Sequence, residues 1–312
     1  MSRNHAPPTL AAPARVVECY GRRAIVEAAT GDRHAAVLFG KRLQVVCGDQ
    51  VRLARDAGSD EWQIMAVEPR RTVITRTDNR GRTEPLAANV TLLAAMLAPE
   101  PSPDLYMIDR YLAGAAYAGV KGAVVINKTD IGDAQILSAA IAAEFSQAGY
   151  QVVCLSALSG SGLDPLRELL SNEITLLVGQ SGVGKSTLCN ALVPASMRPT
   201  RALSAATGEG THTTVSATLL PLPQGGELVD SPGVRDFAPA PVATALVQTG
   251  WPEIMAVSGG CRFNNCLHLR EPGCAVQAAI ETGKISRRRY EGYKRLMNLL
   301  RQLQPSHERP RA

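Results

Sequence analysis

The chain has 312 residues, 45% of them hydrophobic, and a formal net charge of +5. That length allows two or three domains, and that apolar content is enough for packed cores. No apolar run reaches the roughly 20 residues of a membrane-spanning helix, so no membrane partner is expected.

The charge is segregated along the chain. Residues 1–83 carry 14 Lys/Arg against 9 Asp/Glu, residues 84–245 carry 8 against 14, and residues 246–312 carry 11 against 5. Two basic flanks around an acidic centre suit a polyanionic partner, although solvated surfaces are often unevenly charged. The Pro/Ala-rich start, residues 1–14, lacks the apolar core of a secretory signal and reads as a disordered tail; residues 305–312 read the same way. Seven cysteines, three of them close to a histidine near the C-terminus, suit a reducing cytoplasmic compartment and a metal site better than a disulfide framework.

In chain order, residues 15–68 contain RVVECY, RAIVEAA, HAAVLFG, DQVRLAR and WQIMAVE, separated by turns such as TGDR and DAGSDE. This spacing predicts a small β-barrel of OB type. Its few aromatics, Tyr20, Phe39 and Trp62, are expected in the barrel core. Contact with nucleic acid would then run through phosphates and RNA shape, not base stacking. Residues 69–87 read as a basic, turn-rich linker. From 88 to 237, strand and helix patterns alternate, which predicts a parallel sheet covered by helices. Residues 238–304 read as a helical domain interrupted by a Cys/His cluster. Cys19, Cys47, Cys154 and Cys189 fall in strands or helices and read as small core residues.

The α/β segment carries the chemistry. After the apolar run GAVVI comes Asn127-Lys128-Thr129-Asp130. The Asp130 carboxylate can accept from guanine N1–H and its amino group, whereas adenine presents an acceptor where guanine has a donor. Asn127 would fix the loop and the base, and the Lys128 stem would cover the ring. After QVVCL, Ser156-Ala157 would bring a backbone N–H to guanine O6.

Next, Gly179-Gln180-Ser181-Gly182-Val183-Gly184-Lys185-Ser186-Thr187 follows the strand pattern ITLLV and opens a helix. Glycines let backbone N–H groups wrap phosphates, and the helix start is electropositive. Lys185 is the candidate catalytic cation for the β- and γ-phosphates, and Ser186 the candidate Mg²⁺ ligand. A Thr/Ser/Ala/Gly-rich loop, 195–214, is the expected first switch; Thr213 or Thr214 could supply its Mg²⁺ contact. Asp230-Ser-Pro-Gly233 then reads as the second switch, with Asp230 holding Mg²⁺ and the Gly233 N–H sensing the γ-phosphate.

These motifs are those of a GTPase binding GTP/GDP with Mg²⁺, in an unusual order: base reader, base loop, phosphate loop, switches. Moving half of an α/β domain in front of the other preserves one site in space. Toward the C-terminus, Cys261-x4-Cys266-x-His268-x5-Cys274 offers three thiolates and one imidazole. That closed set suits one structural Zn²⁺. A basic amphipathic helix, KISRRRYEGYKRLMNLLRQL, follows and could contact RNA or present a solvated face.

INKTD, LSA, GQSGVGKST, THTT, DSPGVRDF and CRFNNCLHLREPGC, in that order, resemble the ribosome small-subunit-dependent GTPase A family over residues 15–303. The resemblance implies an OB domain, a permuted GTPase domain and a zinc domain. It also implies a role in late maturation of the 30S subunit, with contact to 16S rRNA and hydrolysis faster on the particle than alone. A monomer in the cytoplasm is expected. Where Ras-like enzymes carry a water-orienting Gln after DxxG, this chain has Val234; His212, in the first switch, is the candidate substitute. An RNA-binding module merely toggled by nucleotide is the competing reading, and an ATPase the third, which Asp130 opposes.

Overall fold

The computed structural model describes residues 9–10, 13–55, 61–77, 82–132, 134–197, 217–231 and 238–303. Strands β2 (Ala14–Tyr20), β3 (Arg23–Ala28), β4 (Arg33–Leu38), β5 (Gln50–Arg55) and β6 (Trp62–Val67) form the N-terminal barrel. Pairing runs β2–β3–β4–β6–β5 and returns from β5 to β2, antiparallel except between β4 and β6. A two-residue strand, β1 (Thr9–Leu10), adds to β5. Closure gives the barrel its own core, with Val16, Val26, Val51, Leu53 and Ile64 buried together. None of the three rings expected there is among its buried residues: Tyr20 is buried, but in the cluster shared with Ile74 and Leu93 of the neighbouring body. Trp62 is half-buried against His34, and Phe39, the first residue past β4, is 56% exposed.

The segment read as a linker contains an ordered hairpin, β7 (Val73–Thr77) and β8 (Thr83–Ala88). Its basic residues masked the pattern: Ile74, Ala87 and Ala88 point into the core while Arg76 and Glu84 pair in solvent. The hairpin also grips the chain beyond the second switch motif, because the Thr77 N–H donates to the Ala238 carbonyl at 2.9 Å.

The α/β body follows as β9 (Leu92–Leu97), α1 (Leu105–Tyr117), β10 (Lys121–Ile126), α2 (Ala134–Gln147), β11 (Gln151–Cys154), α3 (Leu163–Leu170), β12 (Ile174–Gly179), α4 (Lys185–Leu192), β13 (Ala217–Pro221) and β14 (Glu227–Asp230). Its parallel strands lie in the order β14–β12–β9–β10–β11. β9 is buried at every position, as expected of a strand with a neighbour on each side and helices on both faces. Met107, Tyr111 and Phe145 of α1 and α2 pack on one face, and Leu166, Leu170, Leu188 and Leu192 of α3 and α4 on the other. Cys154 departs from the core expectation: it ends the edge strand β11 and faces solvent. Burial does hold for Cys19, whose thiol it pushes up to about 12, with Asp49 and Glu18 adding to the shift.

β13 runs antiparallel to β14 and to β2, so the barrel and the α/β body share one twelve-stranded hydrogen-bonded sheet. Arg15 of β2 crosses the junction to Glu227 of β14 with two bonds of 2.6 and 2.5 Å.

The C-terminal part contains a 3-10 helix (Thr244–Gly250), α5 (Pro252–Ser258), α6 (Ala275–Glu281) and α7 (Arg287–Leu303). Trp251, Tyr293 and Met297 pack in its core together with Ala113 of α1. The basic run opening α7 turns partly inward. Arg289, 1% exposed, binds Asp109 of α1 at 2.5 Å and Glu253 of α5 at 2.8 Å. Arg288 reaches Asp109 and Glu144 at 2.8 and 2.7 Å. Burial works against the Arg289 charge, but Asp109 and Glu253 outweigh it and keep the guanidinium protonated. Gly292 permits the approach, since a Cβ there would collide with Asp109.

Removing one member of a buried ion cluster strands the others. Asp109→Ala should therefore destabilise the protein by about 3 kcal/mol, lowering the thermal midpoint by about 5–10 °C. An unchanged midpoint in differential scanning calorimetry would show that apolar packing alone seats α7.

Candidate nucleotide site and metal centre

The phosphate loop leaves β12 at Gly179 and enters α4 at Lys185. Two of its glycines are required by close approach. A Cβ on Gly179 would strike the Met96 carbonyl of β9, and one on Gly184, at φ +98°, would strike Asn127 Nδ2. Val183 is buried and anchors the loop, leaving Ser181, Gly182, Ser186 and Thr187 exposed at its mouth. The Lys185 ammonium lies across the loop, donating to the Gly179 and Gln180 carbonyls at 2.6 and 2.7 Å.

Asn127 sits at the carboxyl end of β10 and is 2% exposed. Its Nδ2 donates to the Val183 carbonyl at 2.8 Å, and its Oδ1 accepts the Ala157 N–H at 2.8 Å. One side chain thus ties the base-reading loop to the phosphate loop and to the Ser156-Ala157 loop. Ser156-Ala157 were expected to bring a backbone N–H to guanine O6; here the Ala157 N–H is engaged by Asn127, and the Ser156 N–H goes to the Ser161 carbonyl at 2.9 Å. Lys128 has φ +62°, and its Nζ donates to the Glu100 carbonyl at 2.9 Å. Asp130 is exposed at the rim, where a carboxylate can accept from an incoming base.

Asp230 ends β14, the parallel neighbour of β12, and so lies on the same edge of the sheet as the phosphate loop. That is the edge where open α/β sheets bind ligands. A 570 Å³ cleft lined by Leu92, Lys121, Gln151 and Glu173 lies at the opposite edge. His212, Thr213, Thr214, Gly233 and Val234 fall outside the described residues. The sequence reading missed the segment between β9 and α1. Its Glu100 carbonyl holds Lys128, and its Asp104 N–H donates to Gln180 Oε1 at 3.2 Å. The available signal was the N-cap Asp104 after PEPSP.

The Cys261, Cys266, His268 and Cys274 ligand atoms all lie within 4.8 Å of one another. His268 Nδ1 is 3.5 Å from Cys261 Sγ and 3.4 Å from Cys274 Sγ. His268 Nε2 lies 2.7 Å from Gln248 Oε1, which favours the proton on Nε2 and leaves Nδ1 facing the thiols. Burial lowers the His268 pKa against the pull of Glu271, favouring the neutral ligand form. Around the cluster, the Glu271 carboxylate accepts the Leu267, Leu269 and Arg270 amides. Tyr290 and Tyr293 of α7 hydrogen-bond the His268 and Leu267 carbonyls at 2.6 and 2.9 Å. Donor chemistry, spacing and outer hydrogen bonds all fit a tetrahedral metal.

A family model described as RsgA GTPase matches residues 67–239. The protein named small ribosomal subunit biogenesis GTPase RsgA from Pseudomonas fluorescens (strain Pf-5) is 40% identical over 288 residues, covering 90% of this chain and 84% of that protein. A protein of the same name from Pseudomonas aeruginosa (strain LESB58) is 39% identical over 285 residues, 91% and 84% of the two chains. Among solved structures, YjeQ from Thermotoga maritima superposes with a TM-score of 0.73 at 28% identity, covering 92% of this chain and 98% of that one. YloQ, described as a circularly permuted GTPase, shares the fold, with a TM-score of 0.68 at 22% identity and coverage of 98% and 99%. The motif order around Asn127 and Lys185, the family match over more than half the chain and the near-complete coverage by relatives lead to one conclusion: the chain belongs to the RsgA GTPase family and is a GTPase.

Proposed function

We propose that this GTPase acts in late maturation of the small (30S) ribosomal subunit, that contact with the 30S particle and its 16S rRNA stimulates hydrolysis, and that hydrolysis is coupled to release. One observation carries the reading. The site locked by Asn127 lies in a chain 40% identical, over 90% of its length, to a protein named for small-subunit biogenesis. The basic flanks support a polyanionic partner. On the barrel, Lys41 and Arg42 are exposed beside Phe39. A cytoplasmic monomer with barrel, GTPase and Cys/His parts belongs to the same reading.

In this reading, backbone amides of Gly179–Gly184 wrap the phosphates, and Lys185 exchanges its loop carbonyls for β- and γ-phosphate oxygens. Ser186, Asp230 and Thr213 or Thr214 hold Mg²⁺, which when bound neutralises phosphate charge. The Gly233 amide senses the γ-phosphate. Asn127, Lys128 and Asp130, with the Ser156-Ala157 loop, select guanine. His212 orients the attacking water in place of the Gln that Val234 replaces. Without that Gln the resting site is incomplete, which suits an enzyme activated by its partner. Cys261, Cys266, His268 and Cys274 hold one structural Zn²⁺, which when bound cross-links the loop beneath α7.

Steady-state phosphate release from GTP should rise about tenfold or more with purified 30S subunits. Lys185→Ala should abolish the rise. His212→Ala should lower stimulated kcat with little change in nucleotide affinity. Absence of stimulation would overturn the ribosomal reading, and full turnover in His212→Ala would remove that residue from the mechanism. Asp130→Asn should shift preference from GTP toward xanthosine triphosphate, whose C2 carbonyl can accept from the new amide; retained GTP preference would mean another group reads the base. Atomic emission should find one zinc per purified chain, and a zinc-free, fully folded protein would refute the metal assignment.

A further inference from the structure

We propose that the segment Glu100–Asp104, joining β9 to α1, braces the nucleotide site, and that Gln180 is the positioning residue through which it holds the phosphate loop. The inference rests on the guanine-nucleotide reading above and deepens it. Strand β9 lies between β12, which ends in the phosphate loop, and β10, which ends in the base reader. The connection leaving β9 therefore emerges between the two loops, and it touches both.

On the base side, the Glu100 carbonyl accepts the Lys128 ammonium at 2.9 Å. Lys128 adopts φ +62°, a left-handed conformation unfavourable for a side chain with a Cβ. It persists where surrounding contacts over-determine it. The bond to Glu100 is one such contact, and it fixes the stem that covers the base. On the phosphate side, the Asp104 N–H donates to Gln180 Oε1 at 3.2 Å. The Pro101 ring lies 3.6 Å from the place a Cβ on Gly182 would occupy.

Gln180 stands at a position of the phosphate-loop pattern where any residue type serves, because the backbone does the cradling. Its side chain is free for another task, and here it reaches out of the loop to an α-helix N-cap. Asp104 spends its own carboxylate on the Tyr106 and Met107 amides, at 3.0 and 3.1 Å. That leaves its backbone N–H for a reciprocal partner, as in a capping box. The brace is stiff, with proline at 101 and 103. It ends on a helix that cannot easily shift, since Tyr111 is buried and Asp109 is held by Arg288 and Arg289. The brace thus references the Lys128 stem and the phosphate loop to one fixed point, which governs how long a bound nucleotide is retained. Base preference is left to Asp130.

Displacement of N-methylanthraniloyl-GDP by excess GDP, followed by stopped-flow fluorescence, tests this. Gln180→Met keeps the side-chain length and removes the acceptor. It should speed release about two- to tenfold, the range of one hydrogen bond, with the association rate unchanged. Pro101→Gly, which loosens the segment around the Glu100 carbonyl, should also speed release. A displacement rate reads only molecules that have bound nucleotide, so a partly unfolded population does not mimic the effect. Wild-type release rates in Gln180→Met overturn the positioning role, and wild-type rates in Pro101→Gly overturn the brace. If the wild-type chain itself fails to bind the fluorescent GDP, the guanine-nucleotide reading has failed instead.

Discussion

One buried amide holds the site together. Asn127 donates to the Val183 carbonyl and accepts from the Ala157 amide, so three loops from three strand ends meet at a single side chain. All three groups are buried, and leaving any one unpaired would cost about 1–3 kcal/mol. Asn is the residue for the task because its amide presents a donor and an acceptor on one short, planar group. The link also explains how the permuted chain order is tolerated. What the site requires is the parallel sheet that brings β10, β11 and β12 out on one edge, together with this cross-link. The order in which the chain visits those strands is free.

Around that centre, the rest of the molecule is fastened by two kinds of contact. The N-terminal part is attached through backbone pairing, reinforced by the Arg15–Glu227 ion pair. β2 bonds to β13, the strand after the expected first switch, and Thr77 bonds to Ala238, just past the expected second switch. Both expected switch segments therefore end on N-terminal elements. The C-terminal part is attached through side chains: the Arg288 and Arg289 cluster on Asp109, Glu144 and Glu253, and the apolar contact of Ala113 with the Trp251 and Tyr293 core. A buried ion cluster contributes less net stability than its short distances suggest, because each charge loses its hydration. Its geometry does fix how α7 lies on α1. Helix α1 is thus held by the C-terminal part at Asp109, five residues after the N-cap that touches Gln180.

Local signals in the sequence determined a great deal here. Five short β-runs separated by turn residues foretold the barrel, and alternating strand and helix patterns foretold the α/β body. Lys185, Ser186, Asp130 and the four candidate Cys/His ligands stood out because the chemistry expected of them depends on spacing along the chain. The glycines at 179 and 184 stood out as the fixed positions of the G-x4-G-K pattern, and the fold adds a second reason for them, since a Cβ at either would strike Met96 or Asn127. Even the permutation was legible, since it is a statement about motif order.

What only the tertiary structure decided were matters of direction and long-range partnership. The hairpin of β7 and β8 was hidden by arginines that face solvent while Ile74 faces the core. Phe39 and Cys154 had core-like composition, but one lies past a strand end and the other on an edge strand. Arg289 looked like part of a solvent-facing basic face and is instead buried between two carboxylates. The bonds from Asp104 to Gln180 and from Lys128 to Glu100 join residues far apart in the chain. Spacing announces a motif whose partners are near in sequence. It is silent about a backbone carbonyl, a spare N–H or a counter-charge supplied from another strand end, because those meet only once the sheet has formed.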